Sequence, residues 1–421
     1  MRNIILVSLE SVRADHCSFM GYNRETTPTL DKMAKNGLCF TNAISSSIPT
    51  PASIFSIFTG EYALVDALDF NPNTWRKEFK GKETLASILS SKGYFTIGFT
   101  NNPVVSSLAG FDKGFQKYYD FVSSSIQGSH RMSFAPFDKV IRWYKHLSSF
   151  LRREWVYSTW EKTYSKILGE LEKIKKPYFL WIFLLDTHVP YLTPASSRKW
   201  KTCRSLKMLY LCKKISDSYG RPSFSEEEKE NLLNAYDNSI FHIDKFLRRL
   251  YKDTKDDDPI FVIHSDHGEG FGEHGFYEHH ILNLYEELIH VPLVIYNSDL
   301  KGKIEKPVSL MDLFLIILDL ISVGNELLSE SLIEQKKEWA ICKVFDRGQR
   351  KIAIRMKDWK FITGQRDEDE LYHLKKDPYE QKNLIREHPR LAEEMKKIVK
   401  RHVKYETEVR TIKEKVRRLR K

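Results

Sequence analysis

The sequence predicts an α/β fold: a large, mostly parallel sheet between helices, followed by a small C-terminal antiparallel sheet and helix. Three observations predict it. Continuous apolar runs, the mark of strands covered on both faces, alternate with segments of helical spacing from the first residues onward. After about residue 335 the pattern changes to short strands separated by tight turns. The last residues return to helical spacing.

The elements follow in chain order. Asn3–Leu9 is the first buried strand. Thr29–Asn36 places Leu30, Met33 and Ala34 on one helical face, and Ser53–Phe58 is helical after a Pro-flanked turn. Thr84 caps a helix carrying Leu85, Ile88 and Leu89 that ends at Gly93. Tyr94–Phe99 and Tyr178–Leu185 are strands. Between them, residues 120–175 are aromatic-rich and helical in pattern, an insertion over one side of the domain. Residues 193–230 are polar and basic, expected as loop and short helix. Asn231–Tyr251 is an amphipathic helix, and Pro259–His264 and Pro292–Tyr296 are further strands. Leu310–Val323 is interrupted by Asp312 and Asp319, so it is expected as a core helix. A membrane span would need roughly 20 apolar residues. Trp339–Val344, Lys351–Met356 and Trp359–Thr363 make the small sheet. The organisation expected is a catalytic domain over 1–335, an antiparallel-sheet subdomain over 336–400 and a basic helical tail over 401–421.

Hydrophobic residues at 41% and charged residues at 29% suit a globular chain. Of the net charge of +11, the tail supplies a large part, with nine Lys/Arg against three Glu. That charge is read as a solvated helix, so nucleic acid is not an expected partner. The stripe Val409, Ile412, Val416 and Leu419 is read as a face packed on the body, and the tail as dispensable for chemistry. The five cysteines are scattered and form no CxxC pair, which argues against a disulfide framework and a thiolate metal site. With no signal peptide or membrane span, the expected compartment is the reducing cytoplasm.

In doubly wound folds, ligands sit beyond the carboxyl ends of the strands. Metal-competent residues stand there in three places: Glu10 after the first strand, Asp186 and His188 after Tyr178–Leu185, and Asp266-His267 after Pro259–His264. A divalent cation needs such oxygens and imidazoles close together. Asp266-His267-Gly268 packs two such groups into one turn.

Together these segments resemble the sulfatase branch of the alkaline phosphatase superfamily. Asn3 to His16 looks like that family's first strand and metal loop, followed by Thr27-Pro28-Thr29-Leu30-Asp31. Thr50-Pro51-Ala52-Ser53-Ile54-Phe55-Ser56-Ile57-Phe58-Thr59-Gly60 resembles its nucleophile segment, and Asp186-Thr187-His188-Val189-Pro190-Tyr191 its DxHxPY motif. The run from Ser265 to Gly275, then Leu284 to Leu293, resembles its second metal segment. Glu370 to Leu374 and Asp377 to Leu384 look like its terminal motif.

The resemblance implies an alkaline-phosphatase-like fold and a small anionic ester as substrate. It implies one divalent cation (Ca²⁺, Mg²⁺, Mn²⁺ or Zn²⁺) held by Glu10, Thr50, Asp266 and His267, with Thr50 as nucleophile. His188 and His279 would be catalytic, binding the anion or protonating the leaving oxygen. Asn102, His274, His280 and Arg13 are expected to line the substrate, Arg13 chiefly by holding the loop. Asp186, His188 and the His274–His280 cluster leave room for a second cation. The sequence departs from true sulfatases where it matters most. Those use Cys or Ser oxidised to formylglycine, with Arg four residues on, and here Thr50 and Ile54 occupy these positions. The superfamily's Thr-bearing relatives act on phosphate esters, so phosphomonoesters or phosphodiesters are favoured. A sulfuric ester hydrolase, a phosphoethanolamine- or glycerophosphate-type transferase, and an inactive anion-binding homologue are the alternatives.

Overall fold

The computed structural model describes residues 1–121, 159–280, 282–321, 337–346, 348–364 and 368–419. Most of the expected insertion, residues 122–158, lies outside these, as does the end of the run to Val323. Within the expected insertion the described part contains the helix Trp160–Leu171.

The strands are β1 (Ile4–Leu9), β2 (Leu38–Ile44), β3 (Phe95–Thr100), β4 (Lys117–Asp120), β5 (Tyr178–Leu184), β6 (Ile260–Ser265), β7 (Gly270–Phe271), β8 (Tyr277–Glu278), β9 (His290–Tyr296), β10 (Gly302–Ile304) and β11 (Val308–Ser309). Among the described residues the main sheet is nine-stranded, in the order β10-β2-β9-β6-β1-β5-β3-β4, with β11 on β2. β9 runs antiparallel to both β2 and β6, and the other pairings are parallel. β1 is central, with Leu9 in register with Leu184 of β5 on one side and Ser265 of β6 on the other. The three loops bearing the predicted ligands therefore leave one sheet edge side by side.

Alternation explains why β1 is apolar throughout. Ile4 and Leu6 enter the core on one face with Phe55, Phe58 and Trp181. Ile5, Val7 and Leu9 enter the other with Tyr236, Ile240 and Ile243 of the long helix Glu226–Thr254. That helix starts five residues before the amphipathic pattern does. The Ser225 hydroxyl accepts from the Glu228 amide and the Glu228 carboxylate accepts from the Ser225 amide, a capping box written in the sequence as Ser-x-x-Glu. Residues 193–230, expected as loop and short helix, contain the 13-residue helix Ser205–Asp217.

The C-terminal sheet has four strands, not three: β12 (Ala340–Asp346), β13 (Gln349–Arg355), β14 (Trp359–Gly364) and β15 (Glu370–His373), all antiparallel. The helix Pro389–Leu419 packs on it through Ala392, Met395 and Val399 and runs unbroken through residue 400. Beyond that point the buried Lys343 ammonium meets Glu406 at 2.8 Å, and the His402 ring lies 5.6 Å from that of Trp339. Ile412, expected to pack on the body, is 59% exposed. Truncation after residue 400 therefore should spare chemistry but remove Glu406 from Lys343. We expect a loss of roughly 1–3 kcal/mol, read as a fall in Tm, whereas truncation after residue 411 should leave Tm unchanged.

His264 belongs to the sheet and not to the histidine-rich loop that follows it. Its Nδ1–H donates to the Ser265 carbonyl at 3.0 Å. Its Nε2 accepts from the Ser8 hydroxyl at 2.8 Å, which in turn accepts from the Trp181 indole at 2.9 Å. Burial pushes this imidazole down to about 4. The unfolded chain binds a proton here near pH 6.5 and the folded chain does not. The contribution is thus intact above pH 6.5 and is lost as pH falls toward 4, on the order of 3 kcal/mol in full. Urea unfolding at pH 7 and pH 5 should show that slope, and His264→Leu should flatten it.

All five cysteines are unpaired thiols. Among the described residues no helix is long and apolar enough to cross a membrane.

Candidate active site

Glu10 continues the ladder from β1, its amide donating to the Leu184 carbonyl at 3.0 Å, and the Asp266 amide donates to the Leu9 carbonyl at 3.1 Å. The two carboxylates are thereby delivered to the same edge. Between them Ser11 adopts φ +53°, a costly backbone state for a residue with a β-carbon. That turn aims the Ser11 amide at Asp266 Oδ1, 2.9 Å away, and the His267 amide reaches the same oxygen at 2.8 Å. Thr50 begins the helix Thr50–Thr59, which the Ser53 hydroxyl ties to the metal-type loop through the Asp266 carbonyl at 2.8 Å.

The four predicted ligands meet. The Thr50 hydroxyl lies 3.0 Å from Glu10 Oε1 and 3.2 Å from His267 Nε2. His267 Nε2 is 3.4 Å from Glu10 Oε1 and 3.4 Å from Asp266 Oδ2. Its Nδ1–H is committed to the Gly268 carbonyl at 2.9 Å, so Nε2 is the atom presented to the cluster. Glu10, Asp266 and His267 are wholly buried, and one ligand atom from each lies within 4.8 Å of the others.

A divalent cation fits this set. Among the described residues Asp266 Oδ2 is buried with no hydrogen-bond partner, an arrangement that costs stability unless something fills it. Against the effect of burial, Asp266 and Glu10 push the His267 imidazole up to about 10. A cation would take the place of that proton, and two carboxylates with a neutral imidazole would carry a charge of −2, which a divalent ion balances. The charges report the same crowding. Burial and the neighbouring Glu10 push the Asp266 carboxyl up to about 7. Burial works against ionised Glu10, yet the His267 hydrogen bond and the charges of His188, His267 and His279 bring it down to about 2.

His188 and His279 stand beside the cluster. The His279 ring is 4.7 Å from that of His267 and 5.3 Å from that of His188, between centroids. The two are tuned in opposite directions. Burial lowers His188, whose Nδ1–H donates to the Val189 carbonyl at 2.8 Å. Burial also works against the charged form of His279, but Glu269, 3.3 Å from its Nδ1, raises it.

The residues expected to line the substrate are placed differently. The Asn102 amide donates to Glu10 Oε2 at 2.7 Å, so it orients that carboxylate. Arg13 is buried and its guanidinium is engaged by Asp15, by Glu273 and by the Glu269 carbonyl, which makes it a brace for the loop. His274 pairs with Glu287 at 2.7 Å and stacks on Tyr285 with centroids 3.6 Å apart, beside the C-terminal sheet. His280 packs on Phe276 at 4.2 Å and faces Arg221, Lys351 and Asp346. Asp186 faces Glu161 and His242, so the second-cation set with His188 and the His274–His280 cluster is not assembled.

Sequence reasoning passed over several supporting residues. Glu269 holds His279 with one oxygen and accepts from the Tyr191 hydroxyl with the other, at 3.0 Å. Both stand inside the motifs quoted above, and a carboxylate next to a metal-type His was the available signal. The Thr187 hydroxyl donates to the Glu10 carbonyl. Tyr236 accepts from the Arg13 amide and donates to the Ser11 carbonyl, and its signal was a hydroxyl on the buried face of the long helix.

A family model described as Sulfatase matches residues 2–323. An arylsulfatase from Clostridium perfringens (strain 13 / Type A) is 25% identical over 449 residues, spanning 91% of this chain and 90% of that protein. The phosphoethanolamine transferase EptA of Helicobacter pylori (strain ATCC 700392 / 26695) is 25% identical over 304 residues, 70% of this chain and 48% of that protein. Among solved structures, the phosphonate monoester hydrolase of Agrobacterium radiobacter superposes with a TM-score of 0.70 at 17% identity over 96% of each chain, a likeness of fold.

Proposed function

Since the chain belongs to the sulfatase family, with its alkaline-phosphatase-like fold, we propose that it is a metal-dependent ester hydrolase that works through a covalent Thr50 intermediate and favours phosphate over sulfate esters. The observation that carries this reading is the Thr50 hydroxyl, at the N-terminus of a buried helix and within 3.0–3.2 Å of Glu10 and His267. The unpaired cysteines agree with a cytoplasmic, reducing setting.

Glu10, Asp266, His267 and the Thr50 hydroxyl would hold the cation, which would lower the hydroxyl's pKa and neutralise charge on the transferred group. Thr50 Oγ1 gives its proton to His188 and attacks the phosphorus or sulfur, the bond to the leaving oxygen breaks as His188 passes that proton to it, and a Thr50 ester forms. The helix N-terminus adds partial positive charge where the anion sits. His279, biased toward its charged form by Glu269, donates to the equatorial oxygens. His188, biased toward the neutral form, takes a proton from the water that resolves the ester and returns Thr50 to its hydroxyl. Opposite tuning of two neighbouring imidazoles is what such a division of roles requires.

The preference for phosphate follows from the second step. Formylglycine expels sulfate by elimination through its second hydroxyl, and Thr50 has none. Ile54, where the sulfatase segment has Arg, is wholly buried in the apolar core and adds no positive charge. A Thr50 ester must therefore be released by direct attack of water. The test is kcat/KM for paired nitrophenyl phosphate, phosphonate and sulfate esters. We expect the best phosphorus ester to lead the sulfate by tenfold or more, about 1.4 kcal/mol in the transition state. A tenfold lead for sulfate would overturn the reading.

A further inference from the structure

We propose that Glu161, Asp186 and His242 form a second cation site, for a divalent ion of the zinc or manganese class. The three come from separate elements. Glu161 lies in the first turn of the helix Trp160–Leu171, Asp186 on the turn after β5, and His242 midway along the helix Glu226–Thr254. One ligand atom from each lies within 4.8 Å of the other two. His242 Nε2 is 3.3 Å from Glu161 Oε2 and 3.6 Å from Asp186 Oδ1.

The independent observation is what these atoms lack. Among the described residues Asp186 Oδ2 and His242 Nε2 are buried without a hydrogen-bond partner, Nε2 meeting Glu161 only at ion-pair distance, on side chains 2% and 1% exposed. Buried polar groups are nearly always paired, and Asp186 and His242 each bring such an atom to the cluster, Asp186 Oδ2 and the Nε2 that faces both carboxylates, so one cation would serve both. Two carboxylates and one imidazole suit a borderline cation more than calcium or magnesium, which prefer all-oxygen sets. The ligands are also held from outside. The Trp160 amide donates to Asp186 Oδ1 at 3.2 Å, its indole donates to the His242 carbonyl at 3.2 Å, and its ring lies 5.5 Å from the imidazole. Such outer contacts fix ligand orientation.

The site would brace the turn that serves the Thr50 cluster. Within Asp186–His188, Asp186 takes the cation, Thr187 donates to the Glu10 carbonyl, and the His188 amide closes the turn on the Leu185 carbonyl at 3.0 Å. Glu161, Asp186 and His242 are thus positioning residues, and the proposal makes no assumption about the chemistry at Thr50.

The test is metal stoichiometry on the full chain. Cation-stripped protein is titrated with Zn²⁺, and in parallel with Mn²⁺, with bound metal counted after equilibrium dialysis. The native chain should take up two equivalents, and Asp266→Asn and His242→Ala one each. Glu161 is half-exposed, so Glu161→Gln should fold as the native chain does and bind its second equivalent some 10–100-fold more weakly. Uptake by Glu161→Gln equal to native in number and affinity overturns the proposal. Loss confined to Asp266→Asn also overturns it and leaves the Thr50 cluster standing. Loss confined to Glu161→Gln and His242→Ala supports it and overturns the cation reading of that cluster.

Discussion

Thr50→Ala should yield a folded protein with cation uptake close to native and a kcat on nitrophenyl phosphate reduced roughly 10⁴-fold or more. The size follows from role: removal of a nucleophile forfeits the covalent route, leaving only what binding and charge stabilisation give. The fold should tolerate the change. Position 50 is the first residue of a helix whose other nine residues are buried and keep their contacts. Alanine suits a helix, and one methyl and one hydroxyl are lost. Two hydrogen-bond contacts go, to Glu10 and His267, but Glu10 keeps that of Asn102 and His267 that of the Gly268 carbonyl. Thr50→Ser restores the hydroxyl and should recover activity to within about tenfold of native, the remaining loss reflecting a freer rotamer. Native turnover by Thr50→Ala would move the nucleophile elsewhere. Ser53 would be a poor substitute, since its hydroxyl is spent on the Asp266 carbonyl.

Much of this cluster was legible because strand order in a doubly wound sheet turns separate apolar runs into neighbours. Glu10, Asp186-Thr187-His188 and Asp266-His267 each follow such a run, and β5 and β6 flank β1. What the sequence could not give is the direction of each side chain within a turn. Asp186 and His188 are two residues apart, yet Asp186 turns to His242 and His188 to His279. The histidine-rich loop misled for a related reason. Its short β7–β8 hairpin spreads the residues in several directions, so His279 meets Glu269 while His274 is taken by Glu287 and Tyr285, and His280 by Phe276. The antiparallel course of β9 was also hidden, because a strand buried on both faces reads the same in either direction.

Asp266→Asn should separate catalysis from stability, because the same substitution acts on them with opposite signs. In the cation-free chain Asp266 Oδ2 has no hydrogen-bond partner among the described residues, and its carboxylate faces that of Glu10 in a dry interior. Asparagine keeps Oδ1 for the amides of Ser11 and His267. It removes a charge that burial and Glu10 disfavour by more than His267 favours it. Cation-stripped Asp266→Asn should therefore unfold at the same temperature as cation-stripped native protein or higher. With cation present the order reverses. Native protein gains about 3–4 kcal/mol when free cation is 100–1,000 times Kd at this cluster, and the variant, one anionic ligand short, forgoes it. Turnover should fall at least about 10³-fold, since both hydroxyl activation and charge neutralisation depend on the ion. Added chelator should bring native activity down to the same level while hardly moving the variant. A variant less stable than native without cation would show that Asp266 is held by structure alone. A variant with native turnover would show that the four side chains converge without serving a cation.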